Sequence, residues 1–525
     1  MLISSCELNI FYFVFLFSVF ICLLSHLQIC CKNKIKKRNF VFLYKFYCEK
    51  VINKYLASQI KSNFPFTPTS QQEFSIEKIA DFIFSDKERK IFMLCGYAGT
   101  GKTTLVSALV RTLEQLERKT VLLAPTGRAA KVFSGYSGKS AYTIHKWIYR
   151  QKSIVDGTTF TLMENRSRNT LFLVDEASMI ANAGLSGFGS GALLDDLVEF
   201  VYSGDGCTML LLGDTAQLPP VGETLSPALS SEYLRSMFLS VERVELTQVM
   251  RQSDGSGILQ NATMLRELIA RDECTALPPI KIKSFADIVS VAGDELIETI
   301  ENCYSSVGVD ETIILCRSNK RANVYNDGIR RRILYREEEL SRGDMLMVVK
   351  NNYYWREELA KEDKSLLEKL DFVANGDVAE VVRVGGTEEM YGFRFADVTL
   401  SFIDYDDCEL DVKIMLDTLT SESPSLTREQ NERLFAAVWD DYPEIKSKRK
   451  RMEEIRKNPY YNALQVKYAY AVTCHKAQGG QWKRVFIDQG YLPADSINVD
   501  YYRWLYTAFT RAGEKLYLVN WKGAE

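Results

Sequence analysis

The chain of 525 residues is 46% hydrophobic and 25% charged, the composition of a globular protein of roughly three or four domains. Its formal net charge of −3 excludes a globally basic surface, so binding to nucleic acid would depend on local basic clefts. None of the twelve cysteines lies in a CxxC pair or at zinc-ligand spacing, and we expect the seven beyond residue 48 to be reduced thiols.

The N-terminal part contains a hydrophobic stretch, residues 8–31, that lacks Asp, Glu, Lys and Arg and is followed by KNKIKKR. As a helix this stretch would span ~36 Å, enough to cross a bilayer. The basic residues lie on its C-terminal side, which predicts that this end stays in the cytoplasm. Two interpretations remain open: residues 8–31 are a membrane anchor, or residues 1–45 are a spurious leader upstream of the true start. Under both interpretations the domains that follow are predicted to be cytoplasmic.

A phosphate-binding loop follows the first buried strand of the folded core. The apolar run 91–95 predicts the strand, GYAGTGKT at 96–103 the loop, and the apolar spacing beyond it a helix. Backbone N–H groups of such a loop surround a polyphosphate, while Lys102 supplies charge and Thr103 a hydroxyl ligand for Mg²⁺. Gln72, upstream, is either a reader of the adenine edge or a solvated first-turn glutamine. The predicted nucleotide-binding residues are Gln72, Gly96, Ala98, Gly99, Thr100, Gly101, Lys102, Thr103 and Thr104.

Three further buried strands are predicted, and each ends in polar residues. The first ends in PTGR at 125–128, the second in Asp175 and Glu176, and the third in GDTAQ, which carries Gln217. Polar groups at the carboxyl ends of strands form the sites of open α/β sheets, so we expect these side chains to share one crevice. One carboxylate would hold Mg²⁺ through water and the other would polarise the attacking water, with Gln217 sensing the γ-phosphate or positioning that water.

The middle of the chain predicts additions to this sheet. Two alternating runs around Asp-Gly indicate a β-hairpin near residues 153–165, and the apolar run 312–316 opens a second α/β unit. Short strand-like pieces between about residues 340 and 465 predict a small β-barrel inserted into that unit. The basic run 446–451 is equally compatible with a nucleic-acid contact and with a solvated helix face.

The C-terminal part returns to a strand, a polar loop, a second strand and a helix. The loop carries His475, Lys476 and Gln478, and the helix carries Thr510 and Arg511. Histidine in such a polar loop is atypical of a core residue, so the loop is a second candidate for function.

Taken in order, these motifs identify a resemblance to the superfamily 1 helicases, and within them to the RecD-like and Dda-like branch that moves 5′ to 3′ on single-stranded DNA. The resemblance covers about residues 65–525. The motifs are Gln72, the loop at 96–104, APTGRAAK at 124–131, TIHK at 143–146, DEAS at 175–178, GDTAQLPPVG at 213–222, MRQ at 250–252, HKAQGGQW at 475–482 and YTAFTRA at 506–512.

The resemblance implies an α/β fold with two RecA-like P-loop domains that hold ATP and Mg²⁺ between them, a short strand-separating hairpin, and a small Src-homology-type β-barrel inserted in the second domain. The predicted segments are the hydrophobic segment 1–45, a linker helix at 46–66, the first RecA-like domain at 67–245 with its hairpin near 150–168, the first part of the second domain at 246–339, the barrel at 340–465, and the rest of the second domain at 466–525.

The resemblance also implies roles for individual residues. The catalytic residues would be Lys102, Asp175, Glu176, Gln217, Arg251 and Arg511, and Mg²⁺ would be held by Thr103 and Asp175. The DNA-binding residues would be Pro125, Thr126, Arg128, Thr143, His145, His475, Lys476 and Gln478. Expected partners are single-stranded and duplex DNA.

The sequence departs from the family pattern at two motifs. HKSQGSEF is common where this chain has Ala477, Gly480 and Trp482, which removes a hydroxyl that contacts DNA, and Met250 stands where many relatives have a tyrosine against the adenine. Our main hypothesis is an ATP-dependent DNA helicase of repair, recombination or replication. The alternatives are a RecD-like motor subunit of a nuclease complex and a membrane-tethered, nucleotide-dependent binding switch.

Overall fold

The structure is a computed structural model that describes residues 51–151, 160–182, 190–248, 255–352, 354–355, 373–405, 407–493 and 496–521. Residues 51–62 are helical, and a compact unit begins at Ile60. The hydrophobic segment 8–31 lies outside the described residues, and among those described no helix is long and apolar enough to cross a bilayer. All elements named below belong to the compact unit.

The first sheet contains six parallel strands in the order β3-β2-β6-β7-β1-β8. Its central strands β1, β6 and β7 are almost continuous apolar runs, as expected where helices cover both faces of a sheet. Since the strands are parallel, the loops that follow β1, β2, β6 and β7 meet at one edge. The strands of this half are β1 Lys90–Gly96, β2 Thr120–Ala124, β3 Ala141–Thr143, β4 Tyr149–Gln151, β5 Phe160–Leu162, β6 Leu171–Val174, β7 Thr208–Gly213 and β8 Ser240–Leu246.

Helices surround this sheet, and a hairpin projects from it. Strands β4 and β5 pair antiparallel at the predicted hairpin, whose tip at 152–159 lies outside the described residues. The helices are α1 Ser70–Phe84, α2 Lys102–Gln115, α3 Gly127–Ser137, α4 Ile144–Ile148, α5 Leu193–Ser203 and α6 Ser231–Ser236.

The second sheet contains five parallel strands in the order β16-β10-β17-β18-β9. Its strands are β9 Ile288–Val291, β10 Thr312–Cys316, β16 Ala471–Thr473, β17 Trp482–Asp488 and β18 Ala512–Val519. The helices that pack with it are α7 Gly257–Ala270, α8 Leu296–Val307, α9 Asn319–Arg332 and, near the C-terminus, α12 Val499–Phe509.

A closed five-strand barrel is inserted between α9 and β16. Its strands are β11 Met345–Val348, β12 Val378–Met390, β13 Phe393–Phe402, β14 Cys408–Met415 and β15 Leu464–Tyr468. One hydrophobic core joins Leu315 and Phe486 of the second sheet to Leu346 and Leu400 of the barrel, so the barrel is packed onto that sheet. This architecture confirms the predicted α/β class with two helix-flanked parallel sheets and an inserted barrel.

Two details of the barrel differ from the sequence-based expectation. The strand β12 continues past Gly385 and Gly386 as far as Met390, because a shift of pairing register to β13 between Val384 and Thr387 carries the strand through the glycines. Two helices, α10 Arg428–Asp440 and α11 Lys448–Lys457, lie between β14 and β15, and most of the basic run 446–451 forms the first turn of α11.

Candidate active site

The phosphate loop connects β1 to α2 at the carboxyl edge of the first sheet. Gly99 and Gly101 adopt left-handed backbone conformations with φ of 78° and 80°, which only glycine adopts without strain. Lys102 Nζ donates to the carbonyls of Gly96 and Tyr97, the latter at 3.0 Å. No described side chain caps the N-terminus of α2, and Thr103 is exposed in its first turn. These free N–H groups and the exposed hydroxyl suit a polyphosphate with its Mg²⁺.

Gln72 lies beside this loop but is engaged by the protein. Its Nε2 donates to Thr100 O at 3.0 Å, and its Oε1 accepts from Thr69 N at 3.0 Å in a capping box at the start of α1. The side chain is 1% exposed, so the solvated-glutamine interpretation is wrong. A paired contact with adenine would require both bonds to open, and this role stays a prediction.

Asp175 and Glu176 leave the end of β6 towards the loop. Asp175 Oδ1 accepts from Glu176 N at 2.8 Å, and Oδ2 accepts a hydrogen bond from Tyr136 on α3. Glu176 has φ of 48°, a left-handed conformation that costs a non-glycine residue on the order of 1 kcal/mol. Desolvation by the surrounding protein raises the pKa of both carboxyls, and the charge of Lys102 opposes the rise.

Residues from the second sheet reach the same place. Arg511, at the end of α12, is buried and donates to Gly480 O at 3.2 Å and Thr507 O at 3.1 Å. Its charge lies close enough to lower the pKa of Glu176 and of Asp214. Lys102, the two carboxylates that follow β6 and Arg511 therefore form one charge cluster, in which Lys102 acts on both carboxyls and Arg511 acts on Glu176.

Gln217 is buried in the segment after β7, and its Oε1 has no hydrogen-bond partner among the described residues. A buried amide oxygen in that state is available to a ligand or water. The next residue, Leu218, is hydrogen-bonded to two residues near the C-terminus. Its N–H donates to Thr507 Oγ1 at 2.9 Å, and its carbonyl accepts from Gln478 Nε2 at 2.8 Å. The predicted Arg251, like Met250, lies outside the described residues.

The predicted DNA-side residues of the first half occupy the starts of α3 and α4. Thr126 Oγ1 accepts from Ala129 N and Thr143 Oγ1 accepts from Lys146 N, each at 3.2 Å. Each hydroxyl keeps its own proton to donate, for instance to a phosphate. Burial lowers the pKa of His145 to about 4, so this imidazole is neutral near pH 7. Pro125 lies one residue before the α3 cap.

The predicted DNA-side residues of the second half follow β16. His475 and Lys476 lie in a short 3₁₀ turn, and burial lowers the pKa of both. Gln478 turns inwards to Leu218 and is not presented to solvent. A Cβ built on Gly479 would lie 3.0 Å from Ala129 Cβ, so this loop closely approaches the start of α3. The two predicted DNA-side segments thus lie side by side.

Two tyrosines of the site were not predicted from the sequence. Tyr136 bonds Asp175 from α3, and Tyr506 on α12 accepts from Ala98 N of the phosphate loop at 3.0 Å. Tyr506 belongs to the YTAFTRA motif, so its motif position was the available clue. Tyr136 has none, because only the tertiary packing of α3 brings it to Asp175.

Two family models match the chain, one in its N-terminal part and one near its C-terminus. The AAA domain matches residues 78–273, and the UvrD-like helicase C-terminal domain matches residues 468–519. Their positions correspond to the phosphate-loop sheet and to the end of the second sheet. The fold and site thus define a P-loop nucleotide-binding protein with two parallel sheets.

Similar proteins come from viruses and bacteria. An uncharacterised protein of Acanthamoeba polyphaga mimivirus is 23% identical over 85% of this chain and 98% of its own length. The ATP-dependent RecD2 DNA helicase of Deinococcus radiodurans is 32% identical over 33% of this chain and 21% of its own length. The ATP-dependent DNA helicase dda of Enterobacteria phage T4 is 26% identical over 50% of this chain and 57% of its own length.

A solved structure of the Bacteroides Pif1 helicase with ADP-AlF3 and single-stranded DNA aligns with 87% of this chain and 93% of its own, at 16% identity and a TM-score of 0.43. The match spans only a fifth of the Deinococcus relative and just over half of the phage relative. The two matched models, in this order, and the named helicase relatives show that the chain is similar to the superfamily 1 helicases.

Proposed function

We propose that the chain is an ATP-dependent DNA helicase that translocates 5′ to 3′ along single-stranded DNA and separates duplexes. One observation carries the proposal: the segment that delivers Arg511 contacts the loops of the first sheet, since Thr507 Oγ1 accepts from Leu218 N at 2.9 Å, and the charges of Arg511 and Lys102 both act to lower the pKa of Glu176. A residue that completes a hydrolytic site across two sheets lets ATP turnover change their relative position. The named helicase relatives support the same activity.

On the nucleotide side, the loop N–H groups and Lys102 bind the phosphates of ATP. Thr103 and Asp175 would hold Mg²⁺, which when bound neutralises charge on the phosphate oxygens. Glu176 accepts a proton from the attacking water, and its raised pKa suits a general base. Arg511 faces the charge that spreads over the transferred phosphoryl group, a contribution of about 10³–10⁵ in rate for such arginines.

On the DNA side, hydroxyl and cationic groups hold the phosphate backbone without reading bases. Gln478 connects the two sides, because its backbone belongs to the DNA-side loop while its amide bonds Leu218, next to Gln217. A change at the γ-phosphate that moves Gln217 therefore moves the DNA-side loop. This connection is the physical basis for coupling hydrolysis to a step along the strand.

The activity is tested by steady-state ATP hydrolysis with and without single-stranded DNA. We expect Lys102→Ala and Glu176→Gln to lower DNA-stimulated turnover by at least about 10²-fold, since the first removes a charge that binds the phosphates and the second removes the base that accepts a proton from the attacking water. Exposed Lys87→Ala and Glu88→Gln are matched controls that should keep wild-type turnover. Full turnover in either site variant would defeat the assigned roles, and hydrolysis indifferent to DNA would instead favour a nucleotide-dependent binding switch.

Polarity and partners need separate measurements. A duplex with a 5′ single-stranded tail should be unwound faster than one with a 3′ tail, and the reverse preference would overturn the 5′ to 3′ direction. The roles in repair, recombination or replication, a nuclease-complex partner and a membrane tether at residues 8–31 stay predictions. Co-purification of a nuclease subunit with the full chain would identify a motor subunit of a nuclease complex.

A further inference from the structure

The hydroxyl of Tyr506 connects the two halves of the nucleotide site. It accepts a hydrogen bond from Ala98 N in the phosphate loop at 3.0 Å and donates one to Asp214 Oδ2 at 2.6 Å. The side chain is 1% exposed, and Asp214 is 2% exposed. Thus a side chain of α12, which packs with the second sheet, satisfies a backbone N–H of the loop that follows β1.

Two neighbouring residues of α12 also form hydrogen bonds with the segment after β7. Arg503 donates to Thr224 O at 2.6 Å, and Thr507 accepts from Leu218 N at 2.9 Å. Residues 503, 506 and 507 lie on one face of a helix, since three and four residues complete about one turn. This face of α12 therefore holds the loops after β7 as well as the phosphate loop.

Of these hydrogen bonds, the one from Ala98 N is the one for which a bound phosphate would compete directly. A backbone N–H donates one strong hydrogen bond, and a charged phosphate oxygen is a stronger acceptor than a neutral phenol oxygen. Ala98 lies inside GYAGTGKT, and Asp214 belongs to the charge cluster of Lys102 and Arg511. A triphosphate bound at the loop would thus take this N–H from the tyrosine.

We propose that the Tyr506 hydroxyl is a latch that a nucleotide displaces: it ties the phosphate loop to α12, and its release from Ala98 frees the second sheet to move. The proposal rests on the proposed function for the binding of a nucleoside triphosphate at the loop. Tyr506 is a positioning residue in this scheme, because it acts through Ala98 and Asp214. The bond to Asp214 keeps the hydroxyl nearby, so the latch closes again when the nucleotide leaves.

The test measures binding of a fluorescent, non-hydrolysable triphosphate, mant-labelled AMP-PNP, to the full chain. Tyr506→Phe removes the competing acceptor and keeps the ring, so we expect about 2- to 10-fold tighter binding without DNA, the value of one neutral hydrogen bond. Tyr502→Phe is the matched control on the same helix, because its buried hydroxyl bonds Ala276 O at 2.7 Å, away from the loop. It should bind like the wild type.

A merely structural role makes a different prediction. A tyrosine that only stabilises the fold would lower the melting temperature in both variants and leave nucleotide affinity unchanged or weaker, and this result would overturn the latch. We further expect the effect of single-stranded DNA on nucleotide affinity to shrink in Tyr506→Phe and to persist in Tyr502→Phe. Equal DNA effects in the two variants would also contradict it.

Hydrogen exchange of the wild-type chain gives a test that does not depend on the variant folding. Adding AMP-PNP should speed amide exchange in α12 while slowing it in the phosphate loop, and unchanged or slower exchange in α12 would overturn the proposal. The proposed function fails separately: if Lys102→Ala binds the probe as tightly as the wild type, the loop is not the nucleotide site and both proposals fall. If only the Tyr506→Phe and exchange results fail, the latch falls alone.

Discussion

The guanidinium of Arg128 lies over the indole ring of Trp482, 4.0 Å from the ring centroid. Arg128 is the second residue of α3, beside the first sheet, and Trp482 is the first residue of β17 in the second sheet, so this cation–π contact crosses between the two sheets. A Cβ built on Gly480 would lie 2.6 Å from Trp482 Cη2 and 2.7 Å from Arg128 Nε. The indole and the arginine therefore fill the space that a side chain at position 480 would need, so Gly480 and Trp482, both of which differ from the residues common in superfamily 1 helicases, depend on each other sterically.

This relationship predicts non-additive effects on DNA binding. Gly480→Ser introduces the residue that is common at this position in superfamily 1 helicases, and it should displace Arg128 and weaken single-stranded DNA binding by about 3- to 10-fold, the value of a lost cation–π contact and a misplaced arginine. In a Trp482→Phe background the smaller ring leaves room, so Gly480→Ser should cost less. Fluorescence anisotropy with a labelled oligonucleotide measures the four affinities of the double-mutant cycle. Additive effects would show that the two residues are not coupled.

The bond from Tyr136 to Asp175 predicts a defect in metal use. Tyr136→Phe removes the donor that orients the carboxylate, and such supporting contacts typically contribute about 10- to 100-fold to metal affinity or activity. We expect DNA-stimulated ATP hydrolysis to need more Mg²⁺ for half-maximal rate. Tyr149→Phe is the control, since its hydroxyl donates to Asp196 Oδ2 at 2.6 Å, a carboxylate that does not belong to the charge cluster. A wild-type Mg²⁺ titration in Tyr136→Phe would contradict this role.

The site also shows which features a sequence can reveal. The phosphate loop and the carboxylates after β6 were predictable because each follows a short apolar run of the length typical of a buried strand, and parallel strands bring their ends to one edge. Tyr136 and Tyr506 were not, since their hydroxyls reach the site through helix packing that leaves no periodic pattern. Gln72 was recognisable by position, yet its amide bonds Thr100, a choice set by local capping that spacing cannot predict.

The fold likewise has elements that the sequence pattern predicts and elements that depend on tertiary contacts. The second sheet was predictable from the buried run of β10, and the barrel from the alternation of its strands. The helices α10 and α11 were not recognised as a pair within the barrel, because their packing depends on aromatic residues such as Trp439, over which Arg451 lies 4.3 Å from the ring centroid. Contacts of this kind form only once distant segments meet.

Lys476 predicts a pH dependence of DNA binding. Its Nζ has no hydrogen-bond partner among the described residues, and burial together with Lys467 lowers its pKa to about 8. The lysine is charged below this pH and loses its proton above it, so a role in binding phosphate implies that single-stranded DNA affinity falls as pH rises through about 8. Lys476→Arg stays charged and should give a flat profile between pH 7 and 9.5 at constant ionic strength. A similar decline in both proteins would assign the titration to another group.

A buried ion-pair network at Asp344 connects the start of the barrel to the end of α9. This carboxylate is 0% exposed and accepts from Arg330 Nε at 3.0 Å, Arg330 Nη2 at 2.9 Å, Arg336 Nη1 at 2.7 Å and Tyr470 Oη at 3.0 Å. The two arginines belong to the end of α9 and the segment after it, so the network fixes the junction between the second sheet and the barrel. Removing one partner of a buried pair leaves an uncompensated charge.

Asp344→Asn should therefore lower the free energy of unfolding by about 3–5 kcal/mol. Asp411→Asn is the control, because the pair of Arg383 and Asp411 at 3.4 Å is largely exposed and such pairs contribute at most about 1 kcal/mol. Urea unfolding followed by circular dichroism compares the two variants with the wild type. Equal losses would mean that the Asp344 network adds no more than a surface pair, and that hydrophobic packing of the barrel onto the second sheet alone holds the junction.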